Sequence, residues 1–309
     1  MLKVTLLGTG GMMPLKERAL SSLCVNWNGH ALLIDCGEGT QIQIRSCGLS
    51  FKSIDVLLLT HYHADHVSGL PGLLLSMGNQ GRTEPLMVAG PPGLERVVNG
   101  LRVIAPELPF VILFHPLDPH RPEPFIHEGL KITPFPLQHN IPCLGYKLHL
   151  PRAGRFEPER ARMNGVPLTC WSRLQKEESV IEDGHTYTRD LVMGPPRQGL
   201  TIVYATDSRP VSVISEKASG ADLLIAEAMY GDPDKRQAAR EKGHMIMDEA
   251  AELARSANVR RLWMTHYSPA MPDPSIWLSR AQEIFPASEL GWDGRQEDLA
   301  YPAESSIDT

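Results

Sequence analysis

Four side chains able to ligate metals fall within six residues: His61, His63, Asp65 and His66, spaced His-x-His-x-Asp-His. So dense a run has to be a turn rather than a helix if alternate side chains are to converge. His61 and His63 then face one cation, and Asp65 and His66 a second. Imidazole nitrogens mixed with carboxylate oxygens suit Zn²⁺, and Mn²⁺ or Fe accept the same donors. Three further residues of these types follow singly, His139, Asp207 and His266. His139 completes a set with His61 and His63, and His266 one with Asp65 and His66. Asp207 bridges the two through its paired oxygens. Two cations so close lower the pKa of a shared water from 15.7 toward ~7 and clamp the attacking and leaving oxygens. The chemistry implied is hydrolysis by a metal-held hydroxide, with Asp65 orienting it or taking its proton.

These residues need a scaffold that brings distant segments to one edge. Residues 54–59 form an apolar run broken only by Asp55, as expected of a strand buried on both faces, and His61 follows one residue after it. Strands predicted over 132–137, 201–205 and 261–264 are followed in the same way by His139, Asp207 and His266. Strand ends at one edge of a sheet are where α/β folds place ligands. Asn28-Gly29 between two apolar runs predicts a two-residue hairpin turn. Helices are expected over 70–77, 93–103, 234–257 and 275–284, giving a mixed α/β chain on one scaffold spanning 1–309, with a disordered tail over 301–309. Gly8-x-Gly10-Gly11 lacks the third glycine of a dinucleotide loop, and Cys36 reads as a buried thiol rather than a nucleophile.

Composition narrows the classes further. With 309 residues, 42% apolar residues and a net charge of −6, the chain can bury a full core and is neither disordered nor a broadly basic nucleic-acid binder. Five scattered cysteines read as reduced thiols, hence a cytoplasmic protein, and no apolar run reaches the length of a membrane span. The opening residues are too soon broken by glycine for a signal peptide. One stretch, 151–198, departs from the strand–helix pattern. Residues 151–176 carry six basic and two acidic side chains, 6 − 2 = +4, against the sign of the chain. The segment reads as an inserted arm, either a solvated surface or a surface for phosphates, with Trp171 available for stacking on a base. Lys16, Arg18 and Arg209 are further candidates for contact with substrate phosphate.

Taken with Leu7-Gly8-Thr9-Gly10, Asp35-Cys36-Gly37-Glu38-Gly39-Thr40-Gln41, Gly69-Leu70-Pro71-Gly72-Leu73-Leu74, Asp207-Ser208-Arg209-Pro210, Gly243-His244 and Thr265-His266, the chain resembles the metallo-β-lactamase superfamily, and within it the ribonuclease Z family. The resemblance runs over nearly the whole length. It implies a four-layer αβ/βα sandwich with an inserted basic arm. It also implies a phosphodiesterase that uses two divalent ions, zinc foremost, to remove 3′ trailers from tRNA precursors. Further implications are a homodimer without membrane attachment and an arm that binds tRNA. Glu227 and His244 become a pair near the leaving group, the carboxylate fixing the imidazole tautomer so that the histidine protonates a departing 3′ oxygen. The chain reads Ala226-Glu227-Ala228-Met229 where the family has His-Glu-Ala-Thr, and His244-Met245-Ile246 where it has His-Ser-Thr. Gly165-Val166-Pro167 likewise stands where the family's arm carries a glycine-proline signature. These departures keep an alternative open, a hydrolase of the same fold acting on small phosphodiesters of the cyclic-nucleotide type without tRNA specificity.

Overall fold

The computed structural model describes residues 1–301, so the tail expected to be disordered lies, past Tyr301, outside the described residues. In chain order the strands are β1 (Leu2–Gly8), β2 (Ser22–Trp27), β3 (His30–Ile34), β4 (Ile54–Leu58), β5 (Leu86–Gly90), β6 (Ile112–Pro116), β7 (Phe125–His127), β8 (Leu130–Leu137), β9 (Cys143–Arg152), β10 (Ser179–Glu182), β11 (His185–Thr188), β12 (Arg197–Ala205), β13 (Leu223–Glu227), β14 (Leu262–Thr265), β15 (Ser288–Leu290) and β16 (Gln296–Leu299). They form two seven-stranded sheets, ordered β16-β1-β2-β3-β4-β5-β6 and β15-β14-β13-β12-β9-β8-β7, plus the separate hairpin β10-β11. Strands β3 to β6 run parallel in the first sheet, and β12 to β15 in the second.

The period-2 pleat explains the layers. Ala31, Leu33, Leu57 and Val88 pack with the helices Thr40–Ser46, Leu70–Asn79 and Leu94–Leu101 in one apolar cluster. Val203, Ala205, Leu224, Ala226 and Met264 pack with Ser212–Ala218, Met247–Ser256 and Leu278–Ile284 in another. The alternate residues, among them Leu32, Ile34, Val56, Leu58, Ile202, Tyr204 and Ile225, are equally buried on the inner faces. Trp27 Nε1 donates to the Glu128 carbonyl at 2.9 Å, and Tyr146 Oη to that of Leu59 at 2.7 Å, each bond joining one sheet to the other. This is the metallo-β-lactamase sandwich, helices outside and sheets inside.

Asn28-Gly29 is the expected tight turn, both residues at positive φ (47° and 90°). The single long helix expected over 234–257 is instead broken. Arg236–Lys242 ends at Gly243, whose φ of 76° is the left-handed cap that glycine adopts without strain, and Met247–Ser256 starts anew. The break presents His244.

Residues Leu150–Leu200 form a compact unit of their own with Tyr301. The unit contains helices Pro158–Met163 and Leu168–Leu174, the hairpin β10-β11, and a small core of Ala161, Val166, Cys170, Leu174, Val180 and Val192. Trp171, a candidate for stacking on a base, packs on Phe156 at 5.2 Å and donates Nε1 to the Val166 carbonyl at 2.9 Å, because this small core needs its bulk. The local basicity is also offset. Residues 177–200 add five acidic and two basic side chains, 2 − 5 = −3, so the segment from 151 to 200 nets 4 − 3 = +1. Arg162 pairs with Glu159, Arg173 with Glu177 and Glu182, and Arg189 with Glu178.

Candidate active site

Every predicted ligand sits at the carboxyl edge of a strand. His61 and His63 follow β4, His139 follows β8, Asp207 follows β12 and His266 follows β14. Asp65 and His66 are carried on a single helical turn, Ala64–Val67, rather than on the irregular turn expected. Backbone strain concentrates here. Met12, Asp35, Asp207 and His266 all adopt positive φ (69°, 62°, 54° and 59°), a region that costs a non-glycine residue about 1–3 kcal/mol and persists only where the surroundings impose it. Gly11 allows the loop after β1 to close over the site, since a Cβ there would lie 2.5 Å from the His266 ring.

The donors gather in two groups around one carboxylate. His61, His63, His139 and Asp207 offer ligand atoms within 4.8 Å of one another, as do Asp65, His66 and His266. Asp207 Oδ1 lies 3.8 Å from His61 Nε2 and 3.9 Å from His139 Nε2. Its Oδ2 lies 3.1 Å from His66 Nε2 and 3.2 Å from His266 Nε2, yet has no hydrogen-bond partner. His266 Nδ1 is also buried without a partner. Nitrogens and oxygens that face one another at these spacings without hydrogen-bond geometry fit the shell of a cation, whose ligands stand a little over 3 Å apart when each bond is about 2.0–2.2 Å. The imidazoles of the first group are in the right form, whereas at His66 burial is outweighed by Asp207 and Asp35, which push it well above its usual range. Burial, then the neighbouring His66, pushes His61 well below its usual range, and burial lowers His63 and His139. Each is neutral, with a lone pair to give. Burial works to raise the Asp65 carboxyl, but His266 and His66 outweigh it and hold the group ionised, below the usual range. The donor set therefore fits divalent metal.

A second set of groups fixes the ligands. Asp35 Oδ2 is 2.8 Å from His66 Nδ1, and Thr60 donates its amide to Asp35 Oδ1 at 2.8 Å. His139 Nδ1 is 3.1 Å from the Gly243 carbonyl. The Met12 amide donates to Asp65 Oδ2 at 2.7 Å. Such partners set tautomer and ring orientation. Sequence reasoning gave Asp35 no role. Its only signal was its place in the Asp35-Cys36-Gly37-Glu38 run.

Glu227, the last residue of β13, lies beside this centre with its Oε2 3.0 Å from His244 Nδ1, while its Oε1 accepts the Ser208 amide at 2.5 Å. Burial lowers the His244 pKa, but Glu227 more than reverses this and brings it to about 9. Ala226, Met229, Met245 and Ile246, the positions that depart from the family pattern, are all fully buried apolar residues. Of the three cations proposed for phosphate, Lys16 is exposed beside Glu17. The other two bind the protein itself. Arg18 donates to the carbonyls of Ser268, Met271 and Pro272. Arg209 donates to the His244 carbonyl and, at 2.6 Å, to Glu249, whose other oxygen accepts the Ile246 amide at 3.0 Å. Both arginines position loops of the site. A cavity of about 780 Å³ adjoins it, walled by Met12, Met13, Met271 and Trp277 with Lys235 and Lys242 at its lining.

Residues 2–102 match the family model of the anti-Pycsar protein Apyc1, and residues 157–267 that of the beta-lactamase superfamily domain. The ribonuclease Z of Lachnoclostridium phytofermentans is 51% identical over 97% of this chain and 99% of its own length. That of Lachnospira eligens is 49% identical over 98% of this chain and 100% of its own. Among solved structures, the short form of human tRNase Z superposes with a TM-score of 0.70 at 24% identity, covering 97% of this chain and 100% of its own. The metallo-β-lactamase fold protein YhfI of Bacillus subtilis gives 0.68 at 20% identity, covering 96% and 98%.

Proposed function

This chain belongs to the ribonuclease Z family, and from that premise we propose that its histidine–aspartate cluster is a two-zinc centre that cuts the 3′ trailer from tRNA precursors. It is a metal-dependent hydrolase of the endoribonuclease class. The reading is carried by Asp207, a buried carboxylate whose two oxygens face two separate groups of imidazoles. His61, His63 and His139 would hold one ion, Asp65, His66 and His266 the other, with Asp207 common to both. When bound, the ions supply a water of lowered pKa and charge neutralisation at the phosphate.

The remaining work falls to the chain. Asp65, ionised and fixed by the Met12 amide, orients the attacking water and accepts its proton. Glu227 holds His244 through Nδ1, leaving Nε2 to carry a proton to the 3′ oxygen as its bond to phosphorus breaks. Arg209 keeps that histidine in place by gripping its carbonyl. The apolar wall of Met12, Met13 and Trp277, with Lys235 and Lys242 near it, suits a base flanked by phosphates. The small-phosphodiester alternative is not favoured, because the ribonuclease Z relatives match end to end, arm included. The arm within residues 151–198 is the surface for tRNA in this reading, contributing phosphate contacts rather than hydrolysis. Among the described residues no helix is long and apolar enough to cross a membrane. A homodimer and a cytoplasmic setting complete the proposal, and light scattering should return twice 34.2 kDa.

The test is a paired assay on zinc-loaded protein, with a trailer-bearing tRNA precursor and a small chromogenic phosphodiester as substrates. Cleavage at the trailer junction, abolished in Asp65→Ala, is the expected result. Replacing residues 151–198 by a short linker should cost the precursor at least tenfold, ~1.4 kcal/mol, while leaving the small ester within about twofold. Turnover of the small ester alone would overturn the tRNA assignment.

A further inference from the structure

At the amino end of β4, away from the hydrolytic centre, a second cluster of metal-type donors comes together. His30 opens β3, Asp55 is the second residue of β4, and His127 closes β7. β3 and β4 belong to one sheet and β7 to the other. From Asp55 to His61 is roughly 20 Å along an extended chain, so the two clusters share no ligand.

The geometry points to a zinc site here, with His30 Nδ1, Asp55 Oδ2 and His127 Nε2 as protein ligands and solvent as the fourth. Asp55 Oδ2 is 2.5 Å from His30 Nδ1 and 3.8 Å from His127 Nε2, and the three ligand atoms lie within 4.8 Å of one another. His127 Nε2 is the telling atom. It is buried, has no hydrogen-bond partner among the described residues, and faces a carboxylate oxygen too distant for a hydrogen bond but near the separation of two ligands on one ion. Zinc enters by opening the His30–Asp55 contact to about 3.3 Å, the separation tetrahedral bonds require, and by drawing His127 inward.

The surroundings are arranged as for a ligand set. Glu128 Oε2 lies 3.6 Å from His30 Nε2, so a carboxylate stands on the side of the ring remote from the ion. Arg82 lies 3.8 Å from Asp55 Oδ1, leaving Oδ2 to the histidines. Both histidines flank two-residue turns with positive φ throughout, Asn28-Gly29 before His30 and Glu128-Gly129 after His127, so their register is rigid. The side chains of His30, Asp55 and His127 are 34%, 23% and 21% exposed, which leaves an entry path and room for the solvent ligand. The ion would clip the two sheets together at the end opposite the active centre. Trp27 reports on it, its ring 5.9 Å from that of His30 and 6.3 Å from that of His127.

The test is bound zinc per chain, by elemental analysis after equilibration in buffered free zinc, for the wild type, His127→Gln and Asp207→Ala. The wild type should hold one zinc more than His127→Gln, while trailer cleavage by the two is equal. Asp207→Ala should keep that ion. Equal zinc in wild type and folded His127→Gln would overturn the site. Should His127→Gln fail to fold, anomalous diffraction from wild-type crystals grown with zinc decides. A peak between His30, Asp55 and His127 supports the site, and peaks confined to the His61–His266 region refute it. The outcome is independent of whether tRNA is the substrate.

Discussion

The ligand edge and the arm both present dense charged and polar side chains, but they hold them in opposite ways. At the edge, His61, His66, Asp207, Glu227 and His266 are essentially inaccessible, and their positions are imposed by strained backbone and by Asp35, Thr60 and Arg209 behind them. In the arm, Arg162 and Arg173 pair with glutamates in solvent, their side chains 61% and 46% exposed. A buried donor without its partner is costly, so each edge residue is held to one geometry. An exposed pair is worth little, so the arm's ion pairs can exchange water, each other or phosphate at small cost. Chemistry demands the first arrangement, and recognition of a large polyanion tolerates the second.

The contrast can be broken most sharply at Asp207. Asp207→Ala should lower trailer cleavage by about 10⁴-fold, several kcal/mol of transition-state stabilisation, and titration calorimetry should show weakened binding at both ions rather than one. A loss confined to one ion would show that the carboxylate is not shared. Next comes His244→Ala, expected to cost about 10²–10³-fold. The deficit should shrink for a substrate whose leaving group is a good one, such as a nitrophenolate, and an undiminished deficit would make His244 structural. Asp35→Asn sharpens the comparison from behind the ligands. It keeps the shape but weakens the hold on His66, and zinc affinity measured by competition should fall about 10–100-fold. The smallest effect belongs to the arm. Arg173→Ala should change folding stability, read by denaturant titration, by no more than ~1 kcal/mol. A larger loss would mean that the arm's pairs are held as firmly as the groups at the edge.

The same contrast explains what could be read from the residues alone. The candidate metal cluster, which the fold gathers in one place, was legible because identity and spacing carry the signal, His61-x-His63-x-Asp65-His66 after a buried strand, with partners at later strand ends. The sheet strands were legible where apolar residues ran together, as at residues 56–58, and not where half-exposed, as at β7 and β16. Asp35 was missed because one acidic residue in a glycine-rich stretch has no period or spacing to mark it. The arm misled because charge pattern speaks only of surface. It hid both the core around Cys170 and the acidic residues that follow and offset the basic ones. Arg18 and Arg209 were candidates by charge for phosphate or for solvated loops, and the bonds they make in the fold, to carbonyl groups 35 to 254 residues away in sequence, exist only in the folded chain.

The ligands are drawn from residues 61 to 266, and the last of them follows β14, which pairs in parallel with β13. β16, later still, closes the first sheet against β1. During synthesis, therefore, a growing chain that has not yet released β14 and the residue after it from the ribosome already carries His61 through Asp207 but lacks His266 of the second group. A cluster gathered from so long a stretch of chain is completed only late in synthesis, when the segment that follows β14 docks.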